Sequence, residues 1–505
     1  MNAPLRRVGV VVLVLFGLLF ANLNWVQAYR ADAYRNSDYN GRVQIAEYER
    51  QRGNIEAGKT ALAQSKASDG ELKYLREYPF DAEYAHVVGY KPVNLAATGI
   101  ERTENEFLNG TADALIADRI SDWFKSEKTP GGSVLMTLSR RAQDVAFKQL
   151  RDNRVDATRG AAVALDPRTG AVQALVSMPS FNPNPLVSHD TAAAEVAFDK
   201  LEKDPDKPLN NRALGETYPP GSTFKVIDTA AALENGYTPE TQIPAGPVYR
   251  APTSGTDIRN AADSICPEAQ VTLDEALTES CNTGFAQLAV KLGGEVIKDK
   301  ARDFGFTQAD LRVGRLAGAN ADGIPVAASE TGEIKNPDGG DDPAALAQSG
   351  IGQNNVRMTP LQGALIAAAV ANNGRQMRPY LVQQLLGPDR TTNHYTASPR
   401  ELNGAVVSPE VATTLQGMMV NVVEDGTGGN AQVEGFRVGG KTGTAQSAED
   451  REDHGWFIGF AMRPDGTPVT AVCVFLEEAG PGGSGEAARI AGQIMRAVTT
   501  DREGG

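Results

Sequence analysis

The feature that most constrains this chain is an apolar run from Val8 to Val26, which directly follows two arginines near the N-terminus. A helix of about 20 apolar residues spans a bilayer, so the run predicts a transmembrane anchor. The arginines predict a cytoplasmic N-terminus, with everything after residue 28 on the other side of the membrane. A cleavable signal peptide is the alternative, because Val26 and Ala28 fit the positions that precede a cleavage site. Under either interpretation, most of the chain lies outside the cytoplasm.

Length and charge narrow the classes of function. The chain has 505 residues, which is too many for one core and predicts two or three domains. Its net charge of −14 argues against a nucleic-acid-binding protein, which would present a basic face. The three cysteines and four histidines form no metal-ligand pattern, so we expect no metal and no organic cofactor.

The positions of the three cysteines indicate which of them are paired and which are free. Disulfides form outside the cytoplasm, and Cys266 and Cys281 are therefore candidates for a disulfide bond. Cys473 lies in an apolar strand pattern, and we expect it to be a buried free thiol.

Strand patterns recur at the two ends of one long segment. Residues 161–177 and 454–477 each read as two apolar strands around a turn, which predicts two hairpins. Residues 140–150 and 485–498 have helical periodicity. We therefore expect one sheet, built from both ends of the segment and flanked by helices, with a mainly helical middle from about 185 to 435.

The polar stretch from Arg151 to Gly160 is a candidate domain boundary. It divides the chain into an anchor (1–28), a mixed α+β region without obvious chemistry (29–155) and a larger α/β domain (156–505). Within the middle region, the acidic cluster of Glu101, Glu104 and Glu106 is interpreted as a solvated face.

The candidate nucleophile stands in the sequence YPPGSTFK. Two prolines and a glycine force a turn, so Ser222 begins a helix, where unpaired backbone N–H groups would stabilise an oxyanion. Lys225 is three residues further on, and its amine is expected to reach the Ser222 hydroxyl. Because a serine needs a base and no histidine is near in sequence, a neutral Lys225 is the candidate base. Alone, Ser222 would be read as a helix cap.

A second lysine accounts for a neutral Lys225. Burial lowers the pKa of a lysine, and so does another cation close to it. Lys441, in the sequence GGKTGTAQ on a predicted strand, is the candidate cation. With the hydroxyls of Thr442 and Thr444 it would form a carboxylate site, and Gly443 would let the backbone of a ligand lie against the strand.

A third motif, ESCNTGF, lies between the other two. Ser280 is a candidate proton relay, and Asn282 is a candidate for holding either a substrate amide or Lys225. Each motif is weak alone. Ser-x-x-Lys, Ser-x-Asn and Lys-Thr-Gly in this order are together a strong signature of enzymes that form an acyl-enzyme with β-lactams.

With these motifs, the chain resembles the penicillin-binding proteins, and among them the class B, monofunctional transpeptidases. The likeness extends over nearly the whole chain and is greatest to the actinobacterial penicillin-binding protein A group. It rests on the anchor and on sequences that include GIERTENEFLNG, LDPRTGAVQALVSMPSFNPN, NRALGETYPPGSTFK and GTGGNAQVEGFRVGGKTGTAQ.

The resemblance implies a fold and a reaction. The fold is a β-lactamase/transpeptidase-like domain of α+β type: a mainly antiparallel sheet flanked by helices, with a helical subdomain. A mixed α+β pedestal and one transmembrane helix would precede it. The reaction is D,D-transpeptidation, in which Ser222 attacks the penultimate D-Ala carbonyl of a stem peptide and an amine of a neighbouring stem resolves the acyl-enzyme. D,D-carboxypeptidase activity would be a side reaction, and β-lactams would trap Ser222.

The resemblance also implies partners and surroundings. Peptidoglycan stem peptides would be donor and acceptor, and the catalytic domain would face the outside of a cell membrane. A separate membrane glycosyltransferase and proteins of cell division or elongation would be partners. Two features depart from the family pattern: Cys281 occupies the middle of Ser-x-Asn, and SGIGQNN lacks the usual Gly-Gln-Gly.

Two other functions stay open on the sequence. A membrane-tethered serine β-lactamase would need a group that activates water, and Arg400 to Gly404 only loosely resembles the sequence that supplies it in class A enzymes. A non-catalytic scaffold or β-lactam sensor is the other alternative. A sensor would need a cytoplasmic signalling segment, and only residues 1–7 precede the apolar run.

Overall fold

The structure is a computed structural model that describes residues 3–29, 47–116, 129–252, 255, 257–316, 323–336, 338–447 and 451–503. Its helices are α1 (Ala3–Asn24), α2 (Ala85–Val88), α3 (Gly99–Thr103), α4 (Asn105–Leu108), α5 (Arg140–Arg151), α6 (Thr191–Glu202), α7 (Lys225–Glu234), α8 (Leu273–Thr278), α9 (Asn282–Leu292), α10 (Gly294–Asp303), α11 (Pro343–Ser349), α12 (Pro360–Ala371), α13 (Pro409–Glu424) and α14 (Gly483–Glu503).

Strands of the N-terminal part and the middle are mostly short: β1 (Ile55–Ala57), β2 (Thr60–Ala67), β3 (Tyr74–Glu77), β4 (Ser133–Met136), β5 (Arg159–Leu165), β6 (Val172–Met178), β7 (Gln242–Pro244), β8 (Val248–Arg250), β9 (Asp257–Arg259), β10 (Gln270–Thr272), β11 (Arg312–Gly314) and β12 (Gly323–Pro325). The remaining strands are β13 (Arg375–Met377), β14 (Val382–Leu386), β15 (Asn393–Thr396), β16 (Glu401–Ala405), β17 (Arg437–Ala445), β18 (His454–Met462) and β19 (Pro468–Glu477).

Helix α1 contains the apolar run. Residues Arg7–Gln27 are long and apolar enough to cross a membrane, and none of this segment is buried inside the protein. A helix of this kind has no core to cover its side chains, so a bilayer is the environment that suits it.

A five-stranded antiparallel sheet forms the centre of the larger domain, in the order β17-β18-β19-β5-β6. Strand β19 pairs with β5, with Cys473 opposite Val163, so the two predicted hairpins meet in one sheet. The prediction that both ends of the segment build one sheet is confirmed. Strand β17, which carries Lys441, lies at an edge.

Helices cover both faces of this sheet. The terminal helices α5 and α14 pack together against one face, with α5 on β6 and α14 on β18 and β19. Helix α12 packs against β18 and β19 from the other face, and all of its residues from Pro360 to Ala371 are buried. A helix that is apolar all round fits this position. Helices α7 and α8 of the helical subdomain pack on α13, which in turn packs on α12.

A six-stranded sheet in the order β15-β14-β4-β1-β2-β3 forms the pedestal region. Strand β14 pairs antiparallel with β4, so two strands from residues 382–396 complete a sheet whose other strands precede residue 137. The pedestal and the larger domain therefore share a sheet. The division at residue 155 stays a prediction.

The interpretation of the acidic cluster as a solvated face was wrong for two of its three residues. Glu101 is completely buried and Glu104 is nearly so, whereas Glu106 is exposed. Glu101 contacts the guanidinium groups of Arg52 and Arg76 in the pedestal, at 2.7 and 2.6 Å. Burial is tolerated here because arginine pairs neutralise the carboxylate.

Candidate active site

Ser222 lies in a 3-10 turn, Gly221–Phe224, that runs directly into α7. Its hydroxyl makes no capping hydrogen bond at this helix start, so the helix-cap interpretation fails. Gly221 has a φ of 54°, and a Cβ there would lie 2.3 Å from the carbonyl oxygen of Thr444. Glycine is therefore needed both for the turn and for the close approach of this turn to β17.

Lys225 is the first residue of α7 and is completely buried. Its amine donates to the side-chain oxygen of Asn282 at 2.8 Å and to the carbonyl oxygen of Ser280 at 2.9 Å. It also lies 3.3 Å from the Ser280 hydroxyl oxygen. The predicted Ser-x-Asn motif thus holds the predicted base.

The backbone of Ser280 explains how one motif supplies both contacts. Ser280 has a φ of 63°, in the left-handed region that side chains rarely adopt. This turn links the end of α8 to the start of α9, where Asn282 is the first residue. Strain at such a residue persists only where its surroundings fix it.

The predicted contact between Lys225 and Ser222 is not made. Among the described residues, the hydrogen bonds of the Lys225 amine go to Ser280 and Asn282 and not to the Ser222 hydroxyl. The physical reason is competition: a buried amine needs several acceptors, and the Ser-x-Asn turn offers them.

Burial lowers the pKa of Lys225 to about 7, against the opposing effects of Cys281, Asp228 and Cys266. Asp228 is one turn further along α7 and is also completely buried, and burial raises the pKa of its carboxyl well above the ordinary range. Lys225 is thus uncharged in a large fraction of molecules near neutral pH.

Lys441 also is completely buried, and its amine donates to the Thr442 carbonyl oxygen at 3.1 Å. Burial lowers the pKa of Lys441 well below its usual range, and the charge of Lys225 lowers it further. Burial, rather than the charge of Lys441, is therefore the main cause of the low pKa of Lys225.

The other residues of the Lys-Thr-Gly motif divide between the cleft and the core. The hydroxyls of Thr442 and Thr427 are hydrogen-bonded at 2.6 Å, and those of Thr444 and Ser484 at 3.4 Å. A Cβ on Gly443 would lie 2.8 Å from the Pro220 carbonyl oxygen. Gly443 thus allows the turn before Ser222 to approach β17, and its part in ligand binding stays a prediction.

The predicted disulfide is not formed in this structure. Cys266, Cys281 and Cys473 are all free and buried thiols, which confirms the expectation for Cys473. A hydrogen bond with Cys266 lowers the pKa of the Cys281 thiol to about 7, and the same hydrogen bond raises the pKa of Cys266.

These residues meet in a cleft of about 200 Å³. The predicted residues that line it are Ser222, Ser280, Asn282, Thr442 and Thr444. Sequence reasoning missed the others, which are Ala261, Ile265, Glu279, Ile351, Gln353, Thr427 and Ser484. Glu279 adjoins the Ser-x-Asn motif, and this is the one sequence signal that would have found it.

Family models match most of the described chain. The penicillin-binding protein transpeptidase domain matches residues 160–496, and the penicillin-binding protein A dimerisation domain matches residues 52–134.

Named relatives match over nearly the full length. The chain is 41% identical to the peptidoglycan D,D-transpeptidase PbpA of Mycolicibacterium smegmatis, over 99% of this chain and 98% of that protein. The corresponding protein of Mycobacterium tuberculosis is 39% identical over the same shares.

Solved structures agree with this similarity. The ceftriaxone acyl-enzyme complex of penicillin-binding protein A from M. tuberculosis has a TM-score of 0.82 and 38% identity, over 90% of this chain and 99% of that one. Its penicillin G acyl-enzyme complex has a TM-score of 0.80 and 38% identity, over 90% and 100%. The predicted fold class is confirmed, and the chain belongs to the class B penicillin-binding proteins, the peptidoglycan D,D-transpeptidases that β-lactams acylate.

Proposed function

We propose that Ser222 is the nucleophile of this transpeptidase and that Lys225 is the base that activates it. The observation that carries this assignment is a completely buried amine, three residues after a serine at the wall of the cleft, whose pKa burial lowers to about 7. A base works best when its pKa is close to the working pH.

Acylation of Ser222 then consists of a proton transfer, an attack on the donor carbonyl and the departure of the last D-Ala. The Lys225 side chain turns from Ser280 and Asn282 toward the Ser222 hydroxyl and takes its proton. The oxygen of Ser222 attacks the carbonyl carbon of the penultimate D-Ala. The backbone N–H groups of Ser222 and Thr444 stabilise the oxyanion. The proton passes through Ser280 to the departing amine of the last D-Ala as the peptide C–N bond breaks.

The remaining residues have supporting roles in this proposal. Asn282 orients Lys225, and the hydroxyls of Thr442 and Thr444 bind the terminal carboxylate of the donor. The charge of that carboxylate favours the protonated form of Lys441, which then supplies a positive field. Gly443 sets the distance between β17 and the nucleophile turn. Support comes from the contacts of Lys225 with the Ser-x-Asn motif and from the position of both threonines at the cleft.

A mass measurement tests the nucleophile. After incubation with benzylpenicillin, we expect the intact protein to gain one covalent adduct, and peptide mapping to place it on Ser222. The Ser222→Ala variant is expected to gain none. An adduct on another residue in the wild-type protein would contradict the assignment.

The competing functions give different results. A serine β-lactamase would hydrolyse nitrocefin with sustained turnover, whereas a transpeptidase gives one stoichiometric burst. Glu401, in the sequence that loosely resembled the water-activating loop, forms an ion pair with Arg375 at 3.3 Å and does not line the cleft. A scaffold would keep cross-linking in cells unchanged when Ser222 is replaced by Ala.

The pKa of Lys225 predicts the pH dependence of acylation. Only the neutral amine accepts the proton of Ser222, so the second-order rate constant for benzylpenicillin should rise with pH through about 7 and level off above it. Below this midpoint the rate should fall by about tenfold for each pH unit. Acylation measured from pH 5 to 9 checks this, and a rate that falls across that range would contradict a neutral lysine base.

We also propose a location and a domain arrangement. Helix α1 anchors the chain in the membrane, with residues 1–28 as cytoplasmic tip and anchor, 29–155 as pedestal and 156–505 as the catalytic domain outside the cytoplasm. The exposed apolar surface of Arg7–Gln27 supports an anchor, and the arginines before the apolar run support this orientation. A membrane glycosyltransferase and proteins of division or elongation would then meet the chain in the same membrane.

A further inference from the structure

The charge that lines the catalytic cleft is a carboxylate. Among the described residues at its wall, Glu279 is the one with an acidic or basic side chain. The two lysines of the site are completely buried and do not line it. The cleft therefore presents a negative charge to incoming groups, although its catalytic chemistry depends on amines.

Glu279 is placed by the same turn that positions Ser280. It follows the last residue of α8, and its backbone N–H donates to the carbonyl oxygen of Glu275 at 2.9 Å. Its side chain is half-buried, and within the described part of the chain it makes no hydrogen bond or ion pair. A half-buried carboxylate that has lost part of its water and has no partner favours a cationic ligand.

The second half-reaction, in which the acyl-enzyme is resolved, brings a cationic ligand into the cleft. Transpeptidation ends with an amine as the acceptor, and a primary amine in water near neutral pH is largely an ammonium ion. We propose that Glu279 binds the ammonium group of the acceptor stem peptide and so directs the acyl-enzyme toward an amine rather than water. This inference rests on the proposed acyl-enzyme at Ser222.

The acceptor then resolves the acyl-enzyme. The acceptor ammonium enters beside Glu279 and loses one proton to solvent. Its nitrogen attacks the ester carbonyl carbon of the acyl-enzyme, and a C–N bond forms while the bond from carbon to the Ser222 oxygen breaks. Lys225, neutral at this stage, takes the second proton from the nitrogen and delivers it to the Ser222 oxygen. Glu279 holds the acceptor but exchanges no proton with it.

The position of Glu279 makes this a role in acceptor binding. It adjoins Ser280, which contacts the Lys225 amine at 3.3 Å, so a group held by Glu279 is close to the proton path. The donor carboxylate site, Thr442 and Thr444, lies on β17, a different element of the cleft wall. A negative charge at Glu279 also repels a donor carboxylate from the acceptor position.

The test measures how one acyl-enzyme is divided between water and an amine. The full-length protein in detergent is given a D-alanyl thioester donor and glycinamide, and the two products are quantified. For Glu279→Gln we expect the ratio of aminolysis to hydrolysis to fall about tenfold, with a smaller loss for Glu279→Asp. Glu275→Gln, which makes the same charge change at an exposed residue of α8, is the matched control and should keep the wild-type ratio.

The outcomes distinguish acceptor binding by Glu279 from an action on water and from a failure of acylation. An unchanged ratio in Glu279→Gln, with hydrolysis still proceeding, overturns the role in acceptor binding. A selective loss of hydrolysis also overturns it, since Glu279 would then act on water, as in a β-lactamase. Benzylpenicillin labelling of the same samples separates this failure from a failure of the proposed function, because wild-type protein that gains no adduct on Ser222 has no acyl-enzyme to divide.

Discussion

Replacing Lys225 by methionine is expected to slow the acylation of Ser222 by benzylpenicillin by about 10³-fold, because general-base catalysis of this kind contributes roughly 10²–10⁴-fold. Methionine has a similar length and an apolar end, so it fills the completely buried position without a charge. The variant has no other neutral amine at the start of α7 to accept the proton of Ser222. Its residual rate should therefore show no inflection near pH 7.

Loss of folding has to be separated from loss of the base. The substitution removes the donor to Asn282 and to the carbonyl of Ser280, and each buried acceptor left unpaired costs about 1–3 kcal/mol. Thermal unfolding of the same preparation shows whether the variant is folded at the assay temperature. Lys291→Met, an exposed lysine on α9, is the matched control. A folded Lys225→Met protein that acylates within tenfold of the wild-type rate would remove Lys225 from the mechanism.

The nucleophile turn was predictable because its determinants are local. Two prolines and a glycine leave the chain few conformations, and the helix after them follows from its own residues. The central sheet was also predictable in outline, since both hairpins carry their turn residues between apolar strands. Local patterns of this kind survive folding because packing reinforces them.

The relations between distant segments were less predictable. Sequence spacing placed Lys225 within reach of Ser222 and offered Asn282 as a possible holder of Lys225. It did not show that the carbonyl of Ser280, more than 50 residues away, also binds this amine and draws it from Ser222. Nothing in the sequence around Gly443 reveals that the Pro220 carbonyl packs against it. The acidic cluster failed for the same reason, because the arginines that neutralise Glu101 come from two other strands or turns of the pedestal.

The relation between the two lysines shows a further limit of prediction from the sequence. Sequence reasoning made Lys441 the cation that keeps Lys225 neutral. In the structure, burial is the main cause of the low pKa of Lys225, and burial also lowers the pKa of Lys441. Burial depth is a property of the assembled core, so no motif specifies it in advance.

Replacing Glu101 by glutamine is expected to lower the free energy of unfolding of the pedestal by about 3–5 kcal/mol, the cost of removing one partner from a buried ion pair. The carboxylate lies between the guanidinium groups of Arg52 and Arg76 and accepts a hydrogen bond from Tyr78 at 3.2 Å. Burial by itself raises the pKa of Glu101, but the two guanidinium groups outweigh it and hold the pKa below its ordinary value. Glutamine keeps the shape of the side chain, but it removes the charged partner of Arg76 and leaves Arg52 with Glu47, at 3.5 Å, as its carboxylate partner.

Hydrogen exchange followed by mass spectrometry measures this loss where it occurs. Amides of β1, β2 and β3 should exchange about 10²-fold faster or more in Glu101→Gln, because each 1.4 kcal/mol is a factor of ten in the opening equilibrium. Glu106→Gln, the same change at an exposed neighbour, should leave exchange unchanged.

The lowered pKa of the Glu101 carboxyl stabilises the fold above about pH 4.5, and this stabilisation is lost in acid. The difference in exchange between wild type and Glu101→Gln should therefore narrow as the pH falls. Equal exchange in the two variants at neutral pH would mean that the arginines are neutralised by other groups, and that Glu101 does not hold the pedestal together.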